Sequence, residues 1–369
     1  MNGPILGKTY GQRNNFDKKR IQVISTFNGI GSFSEGMKQL GVNFNMNTVC
    51  EIDKSANETY YKNNLKKTHY NDINDMVKGQ LVNDKADILI QTPPCQSFSM
   101  CGKRLGLESD NGNLFLTSIK LQKQLDSNIV IYENVKGLVS HDKSIGEYKS
   151  LINKNFGKKT IGHTLHRIET LLLEDTRYNY YWEVLNSCDL GLPQNRERIF
   201  IVGIKKELDT GFTFPEKRDL DFTVEDILEE NVDKSYYFKN VSNHKSELTF
   251  QKKRPNRIHT IRKYTTMKYE KSRRIYSPYV SPCIVCNNES KFLINGRIRF
   301  LTPTENKRIH GFREGFEFVG SKTQRLKQLG NTVSPGVYKL LVGEILSSTT
   351  LNYSVNNTTY SKTLRKEVC

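Results

Sequence analysis

The chain has 369 residues, 36% of them hydrophobic, which is enough apolar material for one large domain or two unequal ones and excludes general disorder. Its 56 Lys and Arg exceed its 39 Asp and Glu, and the formal net charge of +17 favours a polyanionic partner such as nucleic acid. The sequence has no signal-peptide core and no run of about 18 apolar residues, so we expect a cytoplasmic protein without membrane association.

In chain order, short apolar strands alternate with amphipathic helices from residue 21 to residue 203. The predicted strands are 22–26, 47–50, 87–90, 128–132 and 198–203, and the predicted helices are 34–40, 55–65, 114–125 and 164–174. This alternation is typical of α/β proteins with a doubly wound, mostly parallel sheet. Ligands of such sheets bind at the carboxyl ends of the strands.

The first predicted strand runs into a glycine turn, Phe27-Asn28-Gly29-Ile30-Gly31-Ser32. Glu51 follows the second strand, where an acidic side chain can accept hydrogen bonds from ribose hydroxyls, and Asp72 could receive an adenine amino group. The spacing is not GxGxxG, which favours a nucleoside cofactor without a pyrophosphate. A helix N-cap or a surface charge is the alternative interpretation of either acid taken singly.

The third strand ends in Pro93-Pro94-Cys95, which places a thiol on a rigid turn at a strand end. The next strand ends in Glu133-Asn134-Val135, and a polar cluster, Gln194-Asn195-Arg196-Glu197-Arg198, precedes the last one. A thiol, an acid and a guanidinium at the ends of adjacent strands would form a catalytic constellation. Cysteine 95 is expected to be free, because seven scattered cysteines do not suggest a disulfide framework.

Three further segments interrupt or follow this pattern. The polar stretch 143–160 is interpreted as a surface insertion, and Cys283-Ile284-Val285-Cys286 as strand packing rather than a zinc site, so no metal is expected. From Phe238 to Arg274 there are twelve Lys or Arg and two Glu, a net charge of +10. With its interleaved tyrosines this segment suits a nucleic-acid surface, although a solvated charged face is the alternative.

Taken together, these motifs resemble those of the DNA (cytosine-5-)-methyltransferase family of the bacterial restriction-modification type. Two further segments of the sequence also resemble motifs of this family, namely Arg299-Phe300-Leu301-Thr302-Pro303 and Gly330-Asn331-Thr332-Val333. The resemblance implies a class I S-adenosylmethionine-dependent methyltransferase fold with a smaller target-recognition domain. We therefore expect a catalytic domain at 1–218, a recognition domain at 219–298, and a hinge and returning segment at 299–369, whose last helix packs on the catalytic domain.

The resemblance also implies roles for individual residues. The implied catalytic residues are Cys95 as the nucleophile, Glu133 at cytosine N3, Arg198 at O2, and Arg196. The implied S-adenosylmethionine contacts are Phe27, Asn28, Gly29, Ile30, Gly31, Glu51, Ile52, Asp72, Ile73, Pro93, Asn331 and Val333. The implied DNA contacts are Gln96, Ser99, Lys103, Arg104, Lys252, Lys253, Arg254 and Arg257.

The expected partner is double-stranded DNA, whose target cytosine must be flipped out of the stack, while a cognate endonuclease would act separately. The enzyme is expected to be a monomer in the bacterial cytoplasm, associated with the nucleoid. Asn28, Ser32 and Thr92 depart from the family pattern at positions where small residues are common. Three alternatives stay open: a transfer-RNA cytosine-5 methyltransferase, a catalytically inactive DNA-binding relative and a nicotinamide-dependent oxidoreductase.

Overall fold

The computed structural model describes residues 20–65, 68–79, 85–94, 110–157, 159–238, 249–252, 265–269, 273–286, 289–351 and 353. Within these residues no helix is long and apolar enough to cross a membrane.

A seven-stranded sheet forms the centre of the larger unit. Its strands are β1 (Ile21–Thr26), β2 (Phe44–Cys50), β3 (Thr68–Tyr70), β4 (Ile88–Gln91), β5 (Ile129–Val135), β6 (Tyr178–Asn186) and β7 (Glu197–Lys205). They lie in the order β3-β2-β1-β4-β5-β7-β6. The first five are mutually parallel, and β7 runs antiparallel to both β5 and β6. The predicted doubly wound, mostly parallel sheet is confirmed, with one reversed strand.

The described residues form eight α-helices, of which the first five and the last pack in the two hydrophobic clusters of this sheet, whereas the sixth and seventh pack in a third cluster. The helices are α1 (Ser32–Leu40), α2 (Lys54–Asn63), α3 (Ile73–Lys78), α4 (Asp110–Gln124), α5 (His163–Leu173), α6 (Pro303–Ile309), α7 (Lys322–Asn331) and α8 (Pro335–Ser347). The C-terminal α8 packs on α1, where the rings of Phe33 and Tyr338 meet edge to face with centroids 5.2 Å apart. A Cβ on Gly36 would lie 2.8 Å from the Pro335 carbonyl oxygen, so this close helix contact requires glycine.

A second, five-stranded sheet lies later in the chain. Its strands are β8 (Thr249–Lys252), β9 (Thr265–Tyr269), β10 (Arg273–Tyr276), β11 (Lys291–Ile294) and β12 (Arg297–Phe300), in that order across the sheet. Phe292 and Ile294 of β11 pack with Ile30 and Ala56 of the larger unit in one hydrophobic cluster. The expected boundary at residue 298 falls inside β12, where Ile298 is buried and pairs with Leu293 of β11.

The stretch 143–160, predicted as a surface insertion, is anchored to the larger unit. Glu169 of α5 accepts a hydrogen bond from the Leu151 amide at 2.7 Å and another from Trp182 Nε1 at 2.6 Å. Asn153 donates to the Trp182 carbonyl at 2.7 Å, on the edge strand β6, and the Phe156 ring lies 4.9 Å from the Trp182 ring. The insertion therefore packs along the free edge of the sheet, an arrangement that protects exposed edge strands from pairing.

Candidate active site

The ends of β4 and β5 lie side by side at the carboxyl edge of the sheet. Gln91, the last residue of β4, pairs with Tyr132 of β5, and Asn134 Nδ2 donates to the Pro93 carbonyl at 3.2 Å. This bond fixes the proline turn beside β5. Cys95 lies outside the described residues, one position after this turn and its neighbour Pro94.

Glu133 and Arg198 form a buried ion pair across β5 and β7. Arg198 Nε lies 3.1 Å from Glu133 Oε1, and the two side chains are 15% and 11% exposed. Burial raises the pKa of Glu133, while the positive charges of Arg198 and then Arg196 oppose this rise. A carboxyl group in such surroundings can hold or donate a proton near neutral pH. The structure thus brings together the predicted acid and guanidinium beside the strand that leads to the thiol.

Arg196, predicted as catalytic, has its guanidinium committed to the protein. Its Nη1 donates to Cys283 Sγ at 3.1 Å and to the Ile284 carbonyl at 3.0 Å. Its Nη2 donates to the carbonyls of Gly330 at 2.8 Å and Thr332 at 2.6 Å. These four bonds to two chain segments, 283–284 and 330–332, hold the guanidinium within the protein. A catalytic role for Arg196 therefore stays a prediction.

The glycine turn after β1 bends through backbone conformations that favour glycine. Gly29 and Gly31 have φ of 54° and 85°, and Phe27 also has a positive φ of 54°. A Cβ on Gly31 would lie 2.5 Å from the Tyr60 ring, so α2 approaches the turn closely. Thr92, a departure from the family pattern, donates its hydroxyl to the Phe27 carbonyl at 2.8 Å and so supports the strained turn.

Glu51 closes the other side of this turn. Its Oε2 accepts from the Gly29 amide at 2.7 Å and its Oε1 from the Asp53 amide at 2.8 Å. Each carboxylate oxygen keeps a second lone pair with which it can accept a ligand hydroxyl. The neighbouring Ile52 is 74% exposed, an unusual position for a large apolar side chain. Together they offer a ribose acceptor beside an apolar surface.

Asp72 acts as the N-cap of α3, the alternative that the sequence had left open. Its Oδ1 accepts from the Asn74 amide at 2.8 Å and from Asn74 Nδ2 at 3.0 Å. Both of these bonds use Oδ1, so Oδ2 can accept a hydrogen bond from an adenine amino group. Ile73, also predicted to contact the cofactor, is 1% exposed within the sheet core.

The remaining predicted cofactor residues fall into two environments. Asn28 is 9% exposed, and neither its side-chain oxygen nor its nitrogen has a hydrogen-bond partner in the described structure. Asn331 is exposed at the end of α7, and Cys286 Sγ donates to its Oδ1 at 2.8 Å. Ile30 and Val333 are 1% and 5% exposed and pack in hydrophobic clusters, so their side chains serve the core.

Most predicted DNA contacts cannot be placed. Lys252 ends strand β8, and its backbone alone is described. The residues outside the described ranges are Gln96, Ser99, Lys103, Arg104, Lys253, Arg254 and Arg257. Among the residues that are described, no group of three His, Cys, Asp or Glu side chains is placed to hold a metal ion.

Sequence reasoning missed His310, which is fully buried behind the two arginines. Its Nε2 lies 3.4 Å from Gln194 Nε2, and burial, followed by the charges of Arg196 and Arg198, lowers the pKa of His310 well below its usual value. A neutral histidine here adds no positive charge beside Glu133. A lone histidine after a helix carries no pattern that would have revealed this position.

Comparison with known proteins identifies the family. A sequence profile described as C-5 cytosine-specific DNA methylase matches residues 21–347. The type II methyltransferase M.DsaV of Dactylococcopsis salina is 30% identical over 344 residues, which cover 90% of this chain and 87% of that protein. The type II methyltransferase M.HhaI of Haemophilus parahaemolyticus is 28% identical over 340 residues, 89% of this chain and 95% of that one.

The fold is also shared with solved structures. A putative DNA modification methyltransferase encoded within a prophage of E. coli superposes with a TM-score of 0.62 at 20% identity, covering 89% of this chain and 99% of that one. The family and the fold both imply a methyl donor of the S-adenosylmethionine type. The chain therefore belongs to the C-5 cytosine-specific DNA methylase family, whose members methylate cytosine at C5 in DNA.

Proposed function

We propose that this enzyme methylates one cytosine within a short, specific duplex DNA sequence, through a covalent bond between Cys95 and cytosine C6. The observation that carries this proposal is the buried Glu133–Arg198 pair beside the strand that leads into Pro93. An acid and a fork-shaped cation suit the N3 and O2 edge of cytosine. The family profile that matches residues 21–347 is described as a cytosine-specific DNA methylase, which supports DNA as the substrate.

The proposed reaction begins with the Cys95 thiolate, because cytosine C5 is a poor nucleophile until a group adds at C6. As the C6–S bond forms, Glu133 delivers a proton to N3 and Arg198 donates to O2, so the ring becomes an enamine with a nucleophilic C5. S-adenosylmethionine, when bound, supplies the electrophilic methyl group. C5 then loses its proton to water, the C6–S bond breaks so that the Cys95 thiolate leaves, and N3 returns its proton to Glu133, which gives neutral 5-methylcytosine.

The described residues fit S-adenosylmethionine at the switch point of the sheet. Chain order reverses between β1 and β4, where ligands of doubly wound sheets bind. Glu51 would accept the ribose hydroxyls, Ile52 would cover the adenine, and the unpartnered Asn28 carboxamide would gain a polar contact. Asn331 would close the pocket from the C-terminal side.

DNA would enter between the catalytic unit and the five-stranded sheet. The target base is buried in a duplex, so it must be flipped out of the stack. The basic segment from Phe238 to Arg274 overlaps β8, β9 and part of β10, and its cations would bind phosphates while neighbouring side chains read bases. A target-recognition role for residues 219–298 stays a proposal.

The enzyme's substrate class is tested by direct methylation mapping. Labelled S-adenosylmethionine and the protein are incubated separately with mixed-sequence duplex DNA and with transfer RNA, followed by bisulfite sequencing. We expect 5-methylcytosine at one short duplex motif. Methylation of RNA alone would contradict the proposal in favour of a transfer-RNA enzyme, and bound but unmodified DNA would indicate an inactive relative.

Replacing Arg198 with Gln is expected to shift the pH profile as well as the rate. If Glu133 works protonated, kcat falls as pH rises through its pKa. Arg198 is the larger of the two charges that lower this pKa, so its removal raises the pKa further and moves the fall to higher pH. We also expect kcat to drop about 10²-fold, since a donor to the substrate is lost.

Single-turnover rates across the pH range of the folded protein measure both effects. Arg218→Gln is the matched control, because Arg218 is a half-exposed arginine that pairs with Asp221 away from Glu133. Its profile should stay unchanged. An Arg198→Gln profile that does not move, or moves to lower pH, would exclude Glu133 as the acid.

A further inference from the structure

The two thiols of Cys283 and Cys286 lie where the small unit returns to the catalytic unit. Just before them, Ser281–Pro282 pairs in parallel with Gln194–Asn195, directly ahead of Arg196. Arg196 Nη1 then donates to Cys283 Sγ at 3.1 Å. The segment 281–286, here named the thiol clip, is therefore fastened to the start of the strand that carries Arg198.

The thiol clip also holds the end of α7. Arg196 Nη2 donates to the carbonyls of Gly330 and Thr332, the residues on either side of Asn331. A Cβ on Gly330 would lie 2.4 Å from the Cys286 amide nitrogen, so the two backbones touch and only glycine fits. Asn331 is thus bracketed by backbone contacts to one arginine and one clip residue.

The side chain of Asn331 is fixed by the clip as well. Cys286 Sγ donates to Asn331 Oδ1 at 2.8 Å, and the same thiol lies 3.8 Å from the Lys327 carbonyl. A carboxamide that accepts through its oxygen has its two N–H donors turned the other way. The hydrogen bond from the thiol therefore orients the Asn331 carboxamide so that its Nδ2, and not its Oδ1, faces away from Cys286.

We propose that Cys286 and Arg196 are positioning residues for S-adenosylmethionine: the thiol clip orients the Asn331 carboxamide so that its Nδ2 donates to an acceptor oxygen of the bound cofactor. The proposal rests on the proposed function, because Asn331 is assigned to the cofactor pocket by family resemblance. The proposal gives the CxxC motif, Cys283 to Cys286, a role in cofactor affinity. The affinity for S-adenosylmethionine would then depend on the position of the thiol clip.

A double-mutant cycle tests the thiol step by calorimetric titration of S-adenosylmethionine in the absence of DNA. Cys286→Ala is expected to raise Kd about threefold to tenfold, the usual effect of one lost hydrogen bond, and Cys286→Ser to restore it to within about twofold. In an Asn331→Ala background, Cys286→Ala should have no further effect, since its partner is gone.

The outcomes separate the clip from the pocket assignment. If Asn331→Ala raises Kd while Cys286→Ala does not, or if Cys286→Ala acts equally in both backgrounds, the clip proposal is overturned and the pocket stands. If Asn331→Ala leaves Kd unchanged, the assignment of Asn331 to the cofactor pocket is wrong, and the proposal that the thiol clip orients Asn331 for the cofactor is overturned as well. Circular dichroism confirms that each variant is folded.

Arg196→Lys tests the guanidinium, with Arg299→Lys as the matched control. The two arginines are 2% and 1% exposed, but the donors of Arg299 bind Phe300 and Glu305, away from Asn331. A lysine cannot reproduce four forked bonds, so Arg196→Lys should raise the S-adenosylmethionine Kd about tenfold or more. Arg299→Lys should change Kd less than about twofold, whatever its effect on melting temperature. If both substitutions change Kd equally, Arg196 affects cofactor binding only through the stability of the fold, and the proposal is overturned.

Discussion

Replacing Cys95 with Ser is expected to abolish methyl transfer, with a loss of at least about 10⁴-fold in turnover. A serine hydroxyl is far less acidic than a thiol, so at neutral pH it offers almost no anion to add to C6. In the proposed mechanism Glu133 and Arg198 would not compensate, because they would bind the N3 and O2 edge of the ring rather than C6. Without the C6 adduct, C5 stays a poor nucleophile.

The variant should nevertheless bind DNA, and this separates chemistry from recognition. Methyl transfer is measured with labelled S-adenosylmethionine, and binding is measured on the same duplex by fluorescence anisotropy. Cys369→Ser is the matched control, since it makes the same atomic change outside residues 21–347, the part of the chain that matches the family, and should keep near-normal turnover. A Cys95→Ser enzyme that turns over normally would disprove covalent catalysis by this residue.

The sheet could be predicted from the sequence because its strands carry a strong local signal. The runs Ile88–Ile90 and Ile129–Tyr132 are continuously apolar, which is typical of parallel strands buried on both faces. Their polar end residues then point to the carboxyl edge, and Glu133 and Arg198 meet there as expected. Pattern and topology together sufficed for this half of the site.

The fate of each side chain could not be predicted, because it depends on contacts between distant segments. Arg196 and Arg198 are two residues apart, yet one enters the buried fork at Cys283 and the other pairs with Glu133. No local pattern distinguishes them. The insertion at 143–160 is polar in composition, but Glu169 and the Trp182 carbonyl anchor it. Such tertiary hydrogen bonds leave no periodic trace in the sequence.

Replacing Glu305 with Ala is expected to destabilise the protein by about 3–5 kcal/mol. Arg299 and Glu305 form a fully buried, bidentate pair with bonds of 2.7 and 2.6 Å, and their side chains are 1% and 0% exposed. The same carboxylate accepts from the amides of Thr302 at 2.7 Å and Glu229 at 2.9 Å. Its removal therefore leaves one buried cation and two amides without their acceptor.

The free energy of unfolding is measured by urea titration followed by circular dichroism. Glu314→Ala is the control: Glu314 also pairs with an arginine of α6, Arg308, but it is 66% exposed, and loss of an exposed pair costs about 0–1 kcal/mol. The double variant Arg299→Met/Glu305→Leu removes both charges, so it should be more stable than Glu305→Ala alone. Equal losses for Glu305→Ala and Glu314→Ala would show that burial adds nothing to this pair. A large loss confined to Glu305 would mean that one carboxylate joins β12 to α6 and so holds the small sheet to the returning segment.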